Sequence, residues 1–341
     1  MNARGENISL LYIEDEAIVR ENMLEFLNRR FDKVWVAENG AEGLETYRKK
    51  APDIVLTDIR MPVMGGLEMA RAILEFDDKA IIIVTSAHNE SNYLLEAIEM
   101  GVNNYLLKPL EWNKVDATLQ RCIERVLKTR NARDLENLQT EEAFHYTITS
   151  LARAAEANDE DNGNHILRVG EYSAAICRSI GFPKQLVDTI VLQSQLHDVG
   201  KIHVAPEILK KPGKLTNEEM ELVREHTVFG ARIIGSHPRL ETAKSIALHH
   251  HEHWDGTGYP YGLAMIEIPV VARIVAIADV YDALRNQRIY KTGFDHDTAC
   301  SIILEGDGRT EPSHFDPFLL EAFKKIEREL EAIYGRLATV K

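Results

Sequence analysis

The chain is poor in cysteine, in positive charge and in long apolar runs. Its three cysteines, Cys122, Cys177 and Cys300, stand far apart in 341 residues. That spacing makes neither a disulfide framework nor a thiolate metal site, and it reads as buried thiols of a cytoplasmic protein. Lys and Arg number 40 against 54 Asp and Glu, a net charge of -14. Without a cationic surplus to displace counterions, broad binding to nucleic acid or to anionic membrane is excluded, while a local basic pocket for phosphate is not. No apolar run is long enough to span a bilayer, and the opening MNARGENIS lacks a signal-peptide core.

What is present divides in two. The length suits two domains, each with its own core. Over residues 8 to about 125, short runs rich in Ile, Val and Leu alternate with amphipathic stretches. The runs are Ile8–Ile13, Lys33–Ala37, Asp53–Thr57, Ala80–Thr85 and Asn104–Leu107. Runs this short predict buried parallel strands, and strands alternating with helices predict a doubly wound five-stranded sheet. Chemistry in such sheets sits at the carboxyl ends of the strands. There the sequence places Glu14 and Asp15, Asp58, Ser86, and Lys108 followed by Pro109. A carboxylate cluster with one lysine is the set for Mg²⁺ beside a phosphoryl acceptor. Any one of these residues alone would read as a polar strand cap; the whole set at successive strand ends does not.

The motifs YIEDE (12–16), TDIRMPVMGG (57–66), VTSAHNE (84–90) and NYLLKP (104–109) resemble the receiver domain of two-component response regulators over residues 6–125. The resemblance implies phosphorylation of Asp58 by a cognate sensor histidine kinase. It also implies Mg²⁺ held by Glu14, Asp15, Asp58 and the Arg60 carbonyl, with Ser86, Tyr105 and Lys108 as the residues that respond to the phosphoryl group. Thr85 neighbours Ser86, and the 22-residue interval to Lys108 favours Ser86. A cis Pro109 is expected on the same ground.

Residues 111–145 carry no Gly or Pro. Val115, Leu119, Ile123, Val126 and Leu127 share one helical face, which predicts a long helix with 126–145 as linker. Its stripe fits a second subunit in a homodimer as well as its own domain, and both readings stay open.

From 146 to 341 strand-like runs nearly vanish. Twelve of the thirteen histidines lie after residue 144. Thr216-x-x-Glu219 is a capping box, and His226 falls on the helix it is expected to open. His197-Asp198 and His250-His251 are adjacent pairs; His165 and Asp279 complete the set. Imidazole and carboxylate without cysteine suit a hydrolytic centre of Fe, Mn or Zn in an all-helical frame. Neighbours on a helix diverge by about 100°, so each pair is expected to serve two ions, with Asp198 bridging. A lone histidine is more often a packed or exposed side chain than a ligand; His145, His203, His237, His249, His253, His296 and His314 are read that way.

QLHDVGK (195–201), HHEHWDGTGYP (250–260) and IADVYDALRNQRIYK (277–291) resemble the HD-GYP family, a branch of the HD phosphohydrolases. That implies hydrolysis of cyclic di-GMP to pGpG or GMP at two Fe or Mn ions, with Zn and Ni as further options. The ligands implied are His165, His197, Asp198, His226, His250, His251 and Asp279. Asp198 and Lys201 would act at the scissile phosphate, and Tyr259, Arg288 and Lys291 would contact substrate. Asp161 stands where members with a third metal carry Glu; its side chain is one methylene shorter, which weakens the case for a third ion. Ile289 replaces a proline common between the basic residues. The family's Gly-Tyr-Pro segment also implies contacts with diguanylate cyclases. The rival readings are a module that binds cyclic di-GMP without cutting it and an enzyme for a hybrid cyclic GMP-AMP. The fold class expected is α/β plus all-α.

Overall fold

The computed structural model describes residues 5–87, 91–102, 104–156, 164–286 and 293–338. Contacts divide it into two units, Met1–Leu138 and Gln139–Lys341, with the boundary inside one long helix.

The first unit is a parallel five-stranded sheet in the order β2-β1-β3-β4-β5. Its strands are β1 (Gly5–Ile13), β2 (Phe31–Ala37), β3 (Ile54–Asp58), β4 (Ile81–Ala87) and β5 (Asn104–Lys108). Each apolar run expected to be a strand is one. Helices α1 (Ala17–Asn28), α2 (Gly40–Lys50), α3 (Gly66–Leu74) and α4 (Ser91–Glu99) connect them. Side chains alternate across a strand, and the core divides accordingly. Ile8, Leu10, Tyr12, Ile54, Leu56 and Ile83 pack under α1 and the start of α5 (Trp112–Glu156). Leu11, Ile13, Val55, Ile82 and Val84 pack under α2, α3 and α4. Each fully buried aliphatic side chain contributes about 1.5–3 kcal/mol, which holds the strands in register. The peptide bond before Pro109 is cis. The α5 stripe Val115, Leu119, Cys122, Ile123 and Val126 is used up on this sheet, while Leu127, Leu135 and Leu138 are exposed.

The second unit is helical: α6 (His165–Ser179), α7 (Lys184–Gln193), α8 (Pro206–Leu209), α9 (Asn217–Arg224), α10 (His226–Ile234), α11 (Glu241–His249), α12 (Val270–Arg285), α13 (His296–Glu305), α14 (Pro317–Lys325) and α15 (Glu327–Ala338). Helix α12 buries residues around most of its circumference, the mark of a central helix. Its Tyr281 meets Tyr172 of α6 edge-on, ring centroids 5.0 Å apart. No helix among the described residues is long and apolar enough to cross a membrane.

Candidate metal centre

Helix α7 delivers His197 and Asp198 through a change of helix type. Its buried Val187, Ile190 and Leu192 fix it to the core, and the chain then tightens into 3₁₀ turns at Ser194–Leu196 and Val199–His203. Between these turns stand the two ligands, His197 Nε2 and Asp198 Oδ2, 3.3 Å apart. Gly200 backs directly onto the start of α10, where a Cβ would overlap the His226 carbonyl oxygen. Only glycine permits that approach, and it brings His226 Nε2 to 3.2 Å from Asp198 Oδ1.

The capping box at Thr216 and Glu219 forms as expected, opening α9. His226 is not on that helix. The chain stays right-handed at Glu225 but starts a separate helix, α10, and His226 is its first residue. The α11 helix ends at His249, with His250 as its cap and His251 in the following turn. A buried Glu252 accepts the Tyr261 and Leu263 amides at 2.8 and 3.0 Å, which folds the Gly-Tyr-Pro loop back. Tyr259 then stacks on His251, ring centroids 4.7 Å apart.

The seven expected ligands form two donor clusters. His165, His197 and Asp279 make one; Asp198, His226, His250 and His251 make the other, and within each cluster the ligand atoms lie within 4.8 Å of one another. In the first, the two Nε2 atoms of His165 and His197 are 3.3 Å apart, and Asp279 Oδ1 is 3.5 and 3.7 Å from them. Asp198 straddles both clusters. Its Oδ2 faces His197 Nε2 at 3.3 Å, and its Oδ1 faces His226 and His250 at 3.2 and 3.7 Å. His197 and Asp198 do separate between clusters. His250 and His251 do not: both join the second, because the helix stops at His250 and the 100° rule no longer governs the next residue. His249 and His253 belong to neither cluster.

Four of the imidazoles are held from behind. His197 Nδ1 donates to Ser194 O at 2.8 Å, His226 Nδ1 to Val223 O at 2.6 Å and His250 Nδ1 to Ile246 O at 3.0 Å. His165 Nδ1 donates to Asp282 at 2.8 Å. A carbonyl or carboxylate partner makes Nδ1 the donor, so Nε2 turns a lone pair inward. The buried Nε2 of His226, that of His250 and Asp198 Oδ1 approach one another, yet none has a hydrogen-bond partner among the described residues. Converging lone pairs from imidazole and carboxylate, buried and without donors, fit divalent cations and little else.

The electrostatics divide the donors: burial opposes a charge on His197, but Asp198 and then Asp279 raise it, whereas His250 and His251 are lowered. Burial pushes His250 below the usual histidine range; burial, then His250 and His226, pushes His251 well below it. Both are therefore neutral and able to ligate. Burial works against a charge on His165, but the hydrogen bond that the ring donates to Asp282 overrides it and raises the ring to about 10. Burial likewise opposes ionisation of Asp198, but Lys201 and His197 hold it well below the carboxylate range. Lys201 Nζ lies 2.7 Å from Asp198 Oδ2.

Three residues of this site escaped the sequence reading. Asp282, fully buried on α12, also takes two bonds from Arg168 at 2.6 and 2.9 Å. Its signal was the three-residue spacing from Asp279, which puts both on one helix face. Glu156, 6% exposed at the end of α5, has an Oε2 without a hydrogen-bond partner among the described residues. Its helix face, Ile148, Ala152 and Ala155, packs with Ile166, Leu196 and Val199, the neighbours of three ligands. Arg224 lies over the Tyr259 ring at 5.2 Å. Asp161, Arg288, Ile289 and Lys291 lie outside the described residues.

In the first unit Glu14, Asp15 and Asp58 bring carboxylate oxygens within 4.8 Å of one another, a fit for one hard cation. Lys108 Nζ is 2.9 Å from Asp58 Oδ2 and 3.2 Å from Glu14 Oε2. Burial raises the Glu14 carboxyl, with Lys108 pulling against it. The Arg60 guanidinium lies over Tyr93 at 5.3 Å, and Tyr105 is 46% exposed. Ser86 Oγ donates to Ala87 O at 3.3 Å, whereas Thr85 Oγ1 donates to Asp58 Oδ1 at 3.2 Å.

A receiver-type sheet followed by a helical His/Asp metal centre defines a response regulator with an HD-type output. The chain matches the HD domain family over residues 130–319 and the response regulator receiver domain over residues 10–120, and it belongs to these families. It is 30% identical over 348 residues to a cyclic di-GMP phosphodiesterase of Thermotoga maritima, covering 96% of this chain and 93% of that protein. It is 33% identical over 342 residues to a probable cyclic di-GMP phosphodiesterase of Vibrio cholerae, covering 91% and 76%. It is 34% identical over 302 residues to the cyclic di-GMP phosphodiesterase response regulator RpfG of Xanthomonas campestris, covering 84% and 79%.

Proposed function

We propose that the chain is a metal-dependent cyclic di-GMP phosphodiesterase controlled by phosphorylation of Asp58. The observation that carries the reading is Asp198, whose two oxygens face two separate donor clusters. His165, His197, Asp279 and Asp198 would hold one ion; Asp198, His226, His250 and His251 would hold the other. Fe or Mn is the expected occupant, with Zn or Ni as substitutes. Bound cations would supply Lewis-acid polarisation of the phosphodiester and a lowered water pKa.

The chain's own side chains do the rest. The Nδ1 hydrogen bonds fix the rings before substrate arrives, so no reorganisation is needed at the moment of reaction. Lys201 sits beside Asp198 with a proton to give, and it would neutralise or protonate the departing ribose oxygen. Tyr259, packed on His251, would present its ring to substrate on that side. Arg288 and Lys291 would grip the substrate's phosphates. Products would be pGpG or GMP. A sensor histidine kinase is the expected phosphoryl source for Asp58, with Mg²⁺ at Glu14, Asp15, Asp58 and the Arg60 carbonyl. The Gly-Tyr-Pro loop would be the place where diguanylate cyclases dock.

The test is turnover of cyclic di-GMP by protein loaded separately with Fe, Mn, Zn and Ni, with product analysis and hybrid cyclic GMP-AMP alongside. Hydrolysis of cyclic di-GMP by at least one form is expected. Tight binding without product in every form removes the enzymatic claim.

A further inference from the structure

β4 ends in two consecutive hydroxyl residues, Thr85 and Ser86. The sheet register places Thr85 directly beside Asp58 of β3. Thr85 is 2% exposed, so water does not compete for its hydroxyl. That hydroxyl lies 3.2 Å from Asp58 Oδ1 and 3.4 Å from Thr57 O. The Ile59 amide donates to the same Oδ1 at 2.8 Å. Oδ2 instead faces Lys108 Nζ at 2.9 Å. The two oxygens of one carboxylate therefore live in different surroundings. One is tied down by neutral donors inside the sheet, and the other is turned to the lysine.

We propose that Thr85 is a positioning residue: by holding Oδ1 of Asp58 it shortens the life of the phosphorylated state. The proposal rests on reading Asp58 as the acceptor. In the forward step Oδ2 attacks phosphorus, the bond from phosphorus to the donor breaks, and its electron pair leaves with the donor. Oδ1 becomes the carbonyl oxygen of the acyl phosphate. In the reverse step water attacks phosphorus, the Oδ2–P bond breaks, and its electron pair returns to the carboxylate. Orthophosphate leaves with the water's oxygen, and a proton passes to solvent. A carboxylate accepts hydrogen bonds more strongly than a neutral acyl carbonyl. The Thr85 donor therefore favours the state in which Asp58 has its charge back, and so it helps the carboxylate to leave. This differs from the role the receiver resemblance implies for Ser86, which concerns the phosphoryl group and not the carboxylate.

The experiment loads the full chain with acetyl phosphate in Mg²⁺, removes the donor, and follows orthophosphate release. Wild type, Thr85→Val, Thr85→Ala, Thr85→Ser and Asp58→Asn are compared. The valine and alanine variants should lose phosphate about five-fold more slowly than wild type, the scale of one hydrogen bond to a charged acceptor against a neutral one. Serine should restore the wild-type rate. Equal decay in wild type and valine, or a serine variant as slow as valine, overturns the proposal. Failure of valine to load while serine loads also overturns it, since the hydroxyl would then serve acceptance. A wild-type chain that takes up no phosphate overturns the acceptor reading and the proposal with it, whereas Asp58-dependent loading with no Thr85 effect overturns the proposal alone.

Discussion

Asp282 accepts a hydrogen bond from His165 Nδ1 at 2.8 Å from a position three residues beyond Asp279 on the same helix. One turn of α12 thus supplies a ligand to the first cluster and the carboxylate that orients another ligand. Replacing Asp282 with Asn should weaken divalent-metal binding about 10- to 100-fold, the usual cost of losing such a partner. It should also destabilise the fold by about 3 kcal/mol, because the Arg168 guanidinium loses its bidentate carboxylate in a buried site. Chelator competition checks the first effect and urea unfolding the second.

Lys201 approaches Asp198 Oδ2 at 2.7 Å and is no ligand itself. Lys201→Gln should leave metal content unchanged and lower kcat by about 100-fold or more, the range for removing a positioned proton donor or oxyanion partner. Metal analysis and steady-state kinetics on one preparation test this. Lost metal would instead make Lys201 a structural counter-ion.

Gly200 has no room for a side chain against the backbone of α10. Gly200→Ala should push the 3₁₀ turn off α10 at a cost of about 3 kcal/mol, the upper end for overpacking. Metal uptake should fall with stability, since the same contact aligns Asp198 with His226. Thermal unfolding with and without added Mn²⁺ reads both.

Asp255 accepts from the Thr257 amide and hydroxyl at 3.0 and 2.6 Å and from Ser313 Oγ at 2.8 Å. Slight burial raises its carboxyl, but these hydrogen bonds prevail and lower it to about 2. A depressed folded value means the stabilisation is complete above the ordinary Asp value of about 3.9 and is lost as pH falls towards the folded one. Asp255→Ala should therefore destabilise equally at pH 7 and pH 5 and progressively less below about pH 4. Urea unfolding of both proteins across that range tests the sign.

Much of this was readable in the chain. The strand runs announced themselves by length and branching, and the acids and lysine at their ends fell where parallel sheets do chemistry. The seven donors of the helical unit were readable as residue types. Their grouping was readable for His197 and Asp198 and not for His250 and His251. Dividing His250 from His251 assumed continuous α-helix, and the chain leaves the helix at His250. Placing His226 on the capped helix missed a restart at Glu225 that no composition signal marks. Asp282 and Glu156 stayed hidden because a buried acid on an apolar helix face looks the same in sequence whether it serves a site or a core ion pair. The interval to Lys108 points to Ser86 as the residue that responds to the phosphoryl group, and spacing along one strand says nothing of which hydroxyl faces the carboxylate on the next, which is Thr85.

The hydrogen bonds behind the imidazoles have a consequence for ion choice. His226 and His250 are fastened to backbone carbonyls of α9 and α11 and cannot swing freely to follow a larger or smaller guest, so their spacing is inherited from where those helices end and α10 begins. Discrimination among cations of equal charge then rests on coordination preference and cellular supply, since the cradle does not adapt. A single substitution far from any donor, if it shifts one helix end, would move the donors with it and weaken the hold on any ion.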